Sequence, residues 1–165
     1  MRSRTATWFV CKVAYEKTME DGTQKKVAES YVIDALSFTE AEERITEEMS
    51  HYISGEFNVK DITLAPYREV FLSDDEMADR WYKAKLTFIS FDEKTMKEKR
   101  SSVTYLVQAT SCNGAIGLID EVMEGTMIDY RTSSVIETPI IDLFEYKAEE
   151  DASSVGTVES TPKDA

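Results

Sequence analysis

Trp8 and Lys12 stand four residues apart in a run that alternates apolar and polar positions. Trp81 and Lys85 stand four apart in a second such run, with Lys83 between them. Successive side chains of an extended strand point to opposite faces, so each tryptophan shares a face with its lysines. A ring and ammonium groups on one open sheet face suit single-stranded nucleic acid: bases stack on the ring, worth about 1–3 kcal/mol each, while the cations track phosphates. The same indoles also suit a plainer role, covering the sheet or a seam between units.

The elements that would position these residues are written twice. Tyr31 to Met49 (YVIDALSFTEAEERITEEM) aligns without a gap to Tyr105 to Met123 (YLVQATSCNGAIGLIDEVM), and Pro66 to Phe71 (PYREVF) echoes Pro139 to Phe144 (PIIDLF). Internal self-similarity of this kind decides architecture. Alternation predicts a first strand over Thr7 to Tyr15 with Phe9, Cys11, Val13 and Tyr15 inward, matched by Tyr82, Ala84, Leu86 and Phe88. Asp21-Gly22 predicts a hairpin turn to a second strand over Val27 to Ala35. The corresponding turn near Lys94 to Lys99 lacks glycine and is expected to be longer, leading into Val103 to Ala109.

Ser37 followed by Glu40 forms a capping box that opens a helix, with Phe38, Ala41, Ile45, Met49 and Tyr52 at helical spacing. The second helix starts at Ser111 and carries a wider apolar stripe, including Ile116 and Val122, compatible with core packing or with a homo-oligomer contact. A third strand, Val59 to Phe71 or Thr132 to Phe144, contains a proline and so belongs at an edge or bulge. Ser73 to Glu76 has capping-box spacing and predicts a short linking helix. The expected fold is α+β: two tandem ββαβ pseudo-repeats, sheets with helices on one face, over residues 1–72 and 81–146, joined by a linker at 73–80. Residues 147–165, poor in large apolar groups, are expected to form a disordered acidic tail.

The chain has 165 residues, with 19 Lys and Arg against 32 Asp and Glu, a net charge of −13. That predicts repulsion from anionic membranes and bulk phosphate, so any nucleic-acid site must be locally basic. No apolar run is long enough to span a bilayer, and the basic N-terminus lacks a signal-peptide pattern, so a cytoplasmic location is expected. Cys11 and Cys112 have no metal-site spacing and read as reduced residues.

Other chemistry finds no constellation. The single histidine, His51, falls at the end of the first helix without a nucleophile to serve. Asp74, Asp75 and Glu76 lack the alternating ligands of a calcium loop and suit a helix start. Asn113 to Gly117 has neither phosphate-loop nor dinucleotide spacing. Neither an enzyme nor a metal or other cofactor is expected.

The segments TWFVCKVAYEKTMEDGTQKKV, DALSFTEAEERITEEM with ISGEF, ADRWYKAKL and IIDLFEY resemble a family of small bacterial and phage proteins known only as a domain of unknown function. The resemblance covers about residues 6–146. It implies a bacterial or phage source and brings no catalytic residues. In architecture alone, duplicated sheet-and-helix units are similar to Whirly and Pur-repeat proteins, which bind single strands on open sheets. The sequence thus points to non-catalytic binding of single-stranded DNA through Trp8, Lys12, Trp81, Lys83 and Lys85. Its rival is an acidic module in which Glu40, Glu42, Glu43, Glu47 and Glu48 engage a basic protein partner or mimic nucleic-acid phosphate.

Overall fold

A computed structural model describes residues 1–146; the tail expected over 147–165 lies outside them. A short strand β1 (Arg2–Arg4) precedes a long hairpin of β2 (Trp8–Thr18) and β3 (Gln24–Asp34). The hairpin pairs from Trp8 opposite Asp34 to Thr18 opposite Gln24. Gly22 sits at φ 86 in its turn, a left-handed conformation that glycine adopts without a Cβ clash.

Helix α1 (Phe38–Tyr52) starts where the capping box places it: Ser37 Oγ accepts the Glu40 N–H, and the Glu40 carboxylate accepts the Leu36 N–H. Ala41, Ile45 and Met49 pack on Phe9, Cys11, Val13 and Ile33. Phe38 and Tyr52, expected on the same stripe, flank it and are exposed, Phe38 edge-on to Phe9 and Tyr52 beside Phe144.

The chain then forms β4 (Phe57–Leu64), β5 (Glu69–Leu72), β6 (Arg80–Asp92), β7 (Lys97–Ala109), α2 (Cys112–Glu124), β8 (Asp129–Glu137) and β9 (Ile140–Phe144). The fold is α+β, as expected, with nine strands in two sheets and two helices among the described residues. One sheet has the order β4-β2-β3-β9, the other β1-β5-β7-β6-β8.

The expected single third strand is in each half two strands in different sheets. β4 lies antiparallel on β2 as far as Leu64 opposite Phe9, and the Ala65 N–H donates to Trp8 O. Pro66, with no N–H to continue the ladder, then releases the chain, and β5 joins the other sheet parallel to β7. In the second half β8 follows β6 to Glu137 opposite Tyr82, the Thr138 N–H donates to Trp81 O, and Pro139 precedes the crossing of β9 to lie parallel to β3. The last strand of each half therefore completes the other half's sheet.

Each sheet carries one helix on one face. Ala115, Ile119 and Met123 of α2 pack with Tyr82, Ala84, Leu86, Tyr105, Val107 and the exchanged Phe71. The helix-free faces meet in a third cluster that includes Trp8, Val32, Val70, Trp81, Leu106 and Ile140. Of the wider stripe of α2, Val122 packs half-buried at the margin of this core together with Leu118, whereas Ile116 is partly exposed outside the cluster.

Two further expectations are corrected. Residues 73–79 form turns, not a helix: Ser73 Oγ accepts the Asp75 N–H and Asp75 Oδ1 the Met77 N–H, so the capping-type side chains close local turns. The second hairpin is tight despite lacking glycine, with Asp92 opposite Lys97 and Met96 at φ 57. Among the described residues no helix is long and apolar enough to cross a membrane.

Ile45 and Ile119 are both fully buried beneath their helices. Replacing either with Ala should cost about 2–5 kcal/mol, measured by denaturant unfolding, and losses well below that range would show that the sites collapse around the missing atoms.

Candidate functional site

The strand alternation puts Trp8 and Trp81 on the helix-free faces, as expected, but at the end where those faces pack together. Trp8 is 1% exposed and Trp81 2%. Neither indole can present its ring to a ligand, so the expected stacking role is corrected: both seal the inter-sheet core. A single strand's pattern cannot reveal that a second sheet covers part of its outer face. The Arg4 guanidinium lies 6.0 Å from the Trp8 ring centroid, while Trp8 Nε1 has no hydrogen-bond partner among the described residues.

Beyond this contact the faces open, and Lys12, Lys83 and Lys85 are exposed there. Lys12 lies between Ser30 and Asp61; Lys85 lies between Thr104 and Ser134. Each is the last residue before a register shift against the neighbouring edge strand, a bulge that re-aims side chains. The two lysines thus hold corresponding ladder positions in the two sheets. Lys83 lies between Leu106 and Ile136.

The surroundings of the two positions differ in charge. Near Lys12 the open face adds Lys26 opposite Glu16, and a groove of about 600 Å³ is lined by both together with Ala14, Gln24, Asn58 and Lys60. Cations and carboxylates there nearly balance. On the five-stranded sheet, Thr87 faces Ser102 and Arg131, and Ile89 faces Arg100 and Asp129. Arg100 is tied to Glu98 at 3.1 Å. Lys12, Lys83, Lys85 and Arg131 enter no ion pair among the described residues.

A second concavity, about 820 Å³, lies where α1 meets the exchanged strands and is lined by Arg44, Glu47, Ser73, Gln108 and Asp142 among others. Its lining residues Arg2, Arg44, Glu145 and Tyr146 belong to a charge network. Buried Asp34 accepts from Arg4 at 2.5 Å, from Arg44 at 2.6 Å and from the Tyr146 N–H at 2.9 Å. Gln108, opposite Trp81 as Asp34 is opposite Trp8, accepts the Ser73 N–H at 3.0 Å and donates to Ala78 O at 3.1 Å. Sequence reasoning does not single out Asp34; its signal is a lone acid ending the apolar run Tyr31-Val32-Ile33.

Arg2 and Arg4 also hold Glu145, at 2.7 and 3.0 Å. Burial opposes ionisation of Glu145, but the two guanidinium groups outweigh it and hold the carboxyl below its ordinary range. Burial pushes the Cys11 thiol up to about 12, so it stays a protonated core group. His51 is exposed in the last turn of α1, and Asp74, Asp75 and Glu76 are exposed in the linker turns. Among the described residues no group of three or more His, Cys, Asp or Glu is placed to hold a metal.

Fold and site together define an α+β protein of two face-packed sheets with exchanged last strands and one cationic sheet face. The chain belongs to the family described as Domain of unknown function (DUF4494), which matches residues 7–146. No curated protein and no solved structure matches the chain.

Because the folded pKa of Glu145 is depressed, its contribution to stability is present above the ordinary carboxyl value of about 4.3 and is lost as pH falls through the folded value. Thermal denaturation across acid pH should show wild-type protein losing more stability below about pH 4 than Glu145→Gln does. Parallel curves would show that the arginines do not favour the ionised carboxylate.

Proposed function

We propose that this is a non-catalytic nucleic-acid-binding protein that seats a polynucleotide backbone on the helix-free face of the five-stranded sheet. One observation carries the reading: in a chain of net charge −13, that face keeps Lys83, Lys85 and Arg131 exposed and outside any ion pair among the described residues. Two lysines at alternate positions of one strand repeat at about 6.6 Å, close enough to serve neighbouring phosphates. Hydroxyls of Thr87, Ser102 and Ser134 lie among them on the same ladder face and can complete phosphate contacts. Lys12, at the corresponding place in the other sheet, adds a secondary contact. Trp8 and Trp81 serve the scaffold in this reading.

A rival reading is favoured by a separate observation: Glu42, Glu43 and Glu47 of α1 are exposed and outside any ion pair among the described residues, a surface fit for a basic protein partner. α1 covers the opposite face of its sheet, so the two readings concern different surfaces.

Anisotropy of a labelled oligonucleotide decides between them. Binding should appear at low salt and weaken as salt rises, and the double variant Lys83→Ala/Lys85→Ala should lower the log–log salt slope by about 1.4 for a single strand, 0.7 for each phosphate no longer neutralised. Removing residues 147–165, which carry five acids and two lysines, should tighten binding by withdrawing like charge. Intrinsic tryptophan emission should change little, since both indoles are buried. No binding at low salt by either the full or the shortened chain would overturn the proposal in favour of the acidic surface.

A further inference from the structure

We infer that the distal end of this same sheet face takes unpaired nucleobases, making the ligand a single strand, with Phe91 as the stacking platform and the exposed Met96 and Met127 of the two loops at that end as further apolar surface. The inference rests on the backbone-binding reading above and adds the strand state of the ligand and the residues that select it.

Alternation along β6 carries one row of side chains, Lys83, Lys85, Thr87, Ile89 and Phe91, from the margin of the inter-sheet core to the hairpin tip. Phe91 is 59% exposed, and among the described residues its ring meets no other ring. The aromatic group that the sequence places at Trp81, at the buried end of the row, is thus available at the opposite end.

The tip around Phe91 is unusual in two ways. Met96 closes the β6–β7 hairpin and is 72% exposed; Met127, just before β8 begins at Asp129 opposite Ile89, is 97% exposed. Both methionines also sit at φ 57, the left-handed region that side chains other than Asn and Asp rarely adopt. At the matching end of the other sheet the hairpin uses Gly22 at φ 86, so glycine serves this geometry there. Holding two large apolar side chains in water on strained backbone opposes folding, and such outliers concentrate at functional positions. Thioethers pack well on aromatic faces.

Planar bases on an anionic backbone fit this layout: cations along the middle of the row and an exposed ring with polarizable apolar groups at its end. A duplex hides the base faces, so its phosphates could use the lysines but not the tip.

The test compares single-stranded and duplex oligonucleotides of equal length in anisotropy titrations. Wild-type protein should prefer the single strand. Phe91→Ala should weaken single-strand binding by at least about fivefold, with a smaller effect on duplex and an unchanged salt slope, whereas Lys83→Ala/Lys85→Ala should weaken both. Met96→Gly/Met127→Gly, which relieves the backbone and should fold at least as well, should also reduce the single-strand preference. Phe91→Trp should give an emission that single strands quench. Oligonucleotide binding without strand preference, or left unchanged by Phe91→Ala, would overturn the inference while sparing the backbone reading; no binding to any oligonucleotide would overturn both.

Discussion

Two prolines determine how this chain closes. Pro66 and Pro139 each stand just after the last ladder bond of an edge strand, where a residue without an N–H cannot extend the pairing. The chain leaves its own sheet there and finds backbone partners beside β7 or β3 in the other. The exchange ties each half to the other through main-chain hydrogen bonds as well as side-chain packing. Once β5 and β9 have crossed, the helix-free faces cannot separate without breaking a ladder in each sheet. The burial of Trp8 and Trp81 follows from that closure.

The crossings are pinned at their far ends by polar side chains. Asp34 and Gln108 end β3 and the corresponding part of β7, and each accepts the N–H of a residue just beyond an exchanged strand, Tyr146 and Ser73 respectively. The amide needs no countercharge and also donates to Ala78 O. The carboxylate does need one, and Arg4 and Arg44 supply it from β1 and α1. A buried carboxylate with two guanidinium partners and a backbone donor is satisfied; lacking them it would be a strong source of instability. One side of the fold is therefore locked by charge and the other by neutral hydrogen bonds. Arg2 and Arg4, through Glu145, extend the charged lock to the N-terminal strand.

Much of the local structure is legible in the sequence because period and capping are local properties. The alternation of Phe9, Cys11 and Val13, the Ser37–Glu40 cap and the spacing of Ala41, Ile45 and Met49 specify elements without reference to distant residues. The exchange is not legible, since a proline announces that a strand must stop but not where the chain goes next. The burial of Trp8 and Trp81 is unreadable for the same reason: it depends on which surface a second sheet covers. Lys12, Lys83 and Lys85 fall on the face expected of them because ammonium groups stay in water whichever part of that face is covered. Phe91 does not stand out in the sequence because, as a lone ring near a turn, its pattern is shared by core aromatics.

A cationic strip on an acidic chain is consistent once distance is considered. Charges farther away than a Debye length, about 8 Å at physiological salt, are largely screened, so the field at Lys83 and Lys85 is set by their mutual proximity and by Arg131, opposite Thr87 two residues on from Lys85, more than by the glutamates of α1. In the proposed reading the remote acids would act on approach, repelling a polyanion before contact and lowering its association rate, while the strip would govern how long it stays. As salt is lowered that repulsion reaches farther and offsets part of the gain from phosphate contacts. A polyanion on this face would consequently show a shallower salt dependence than a count of its lysine contacts implies, and a face without acidic surroundings would not.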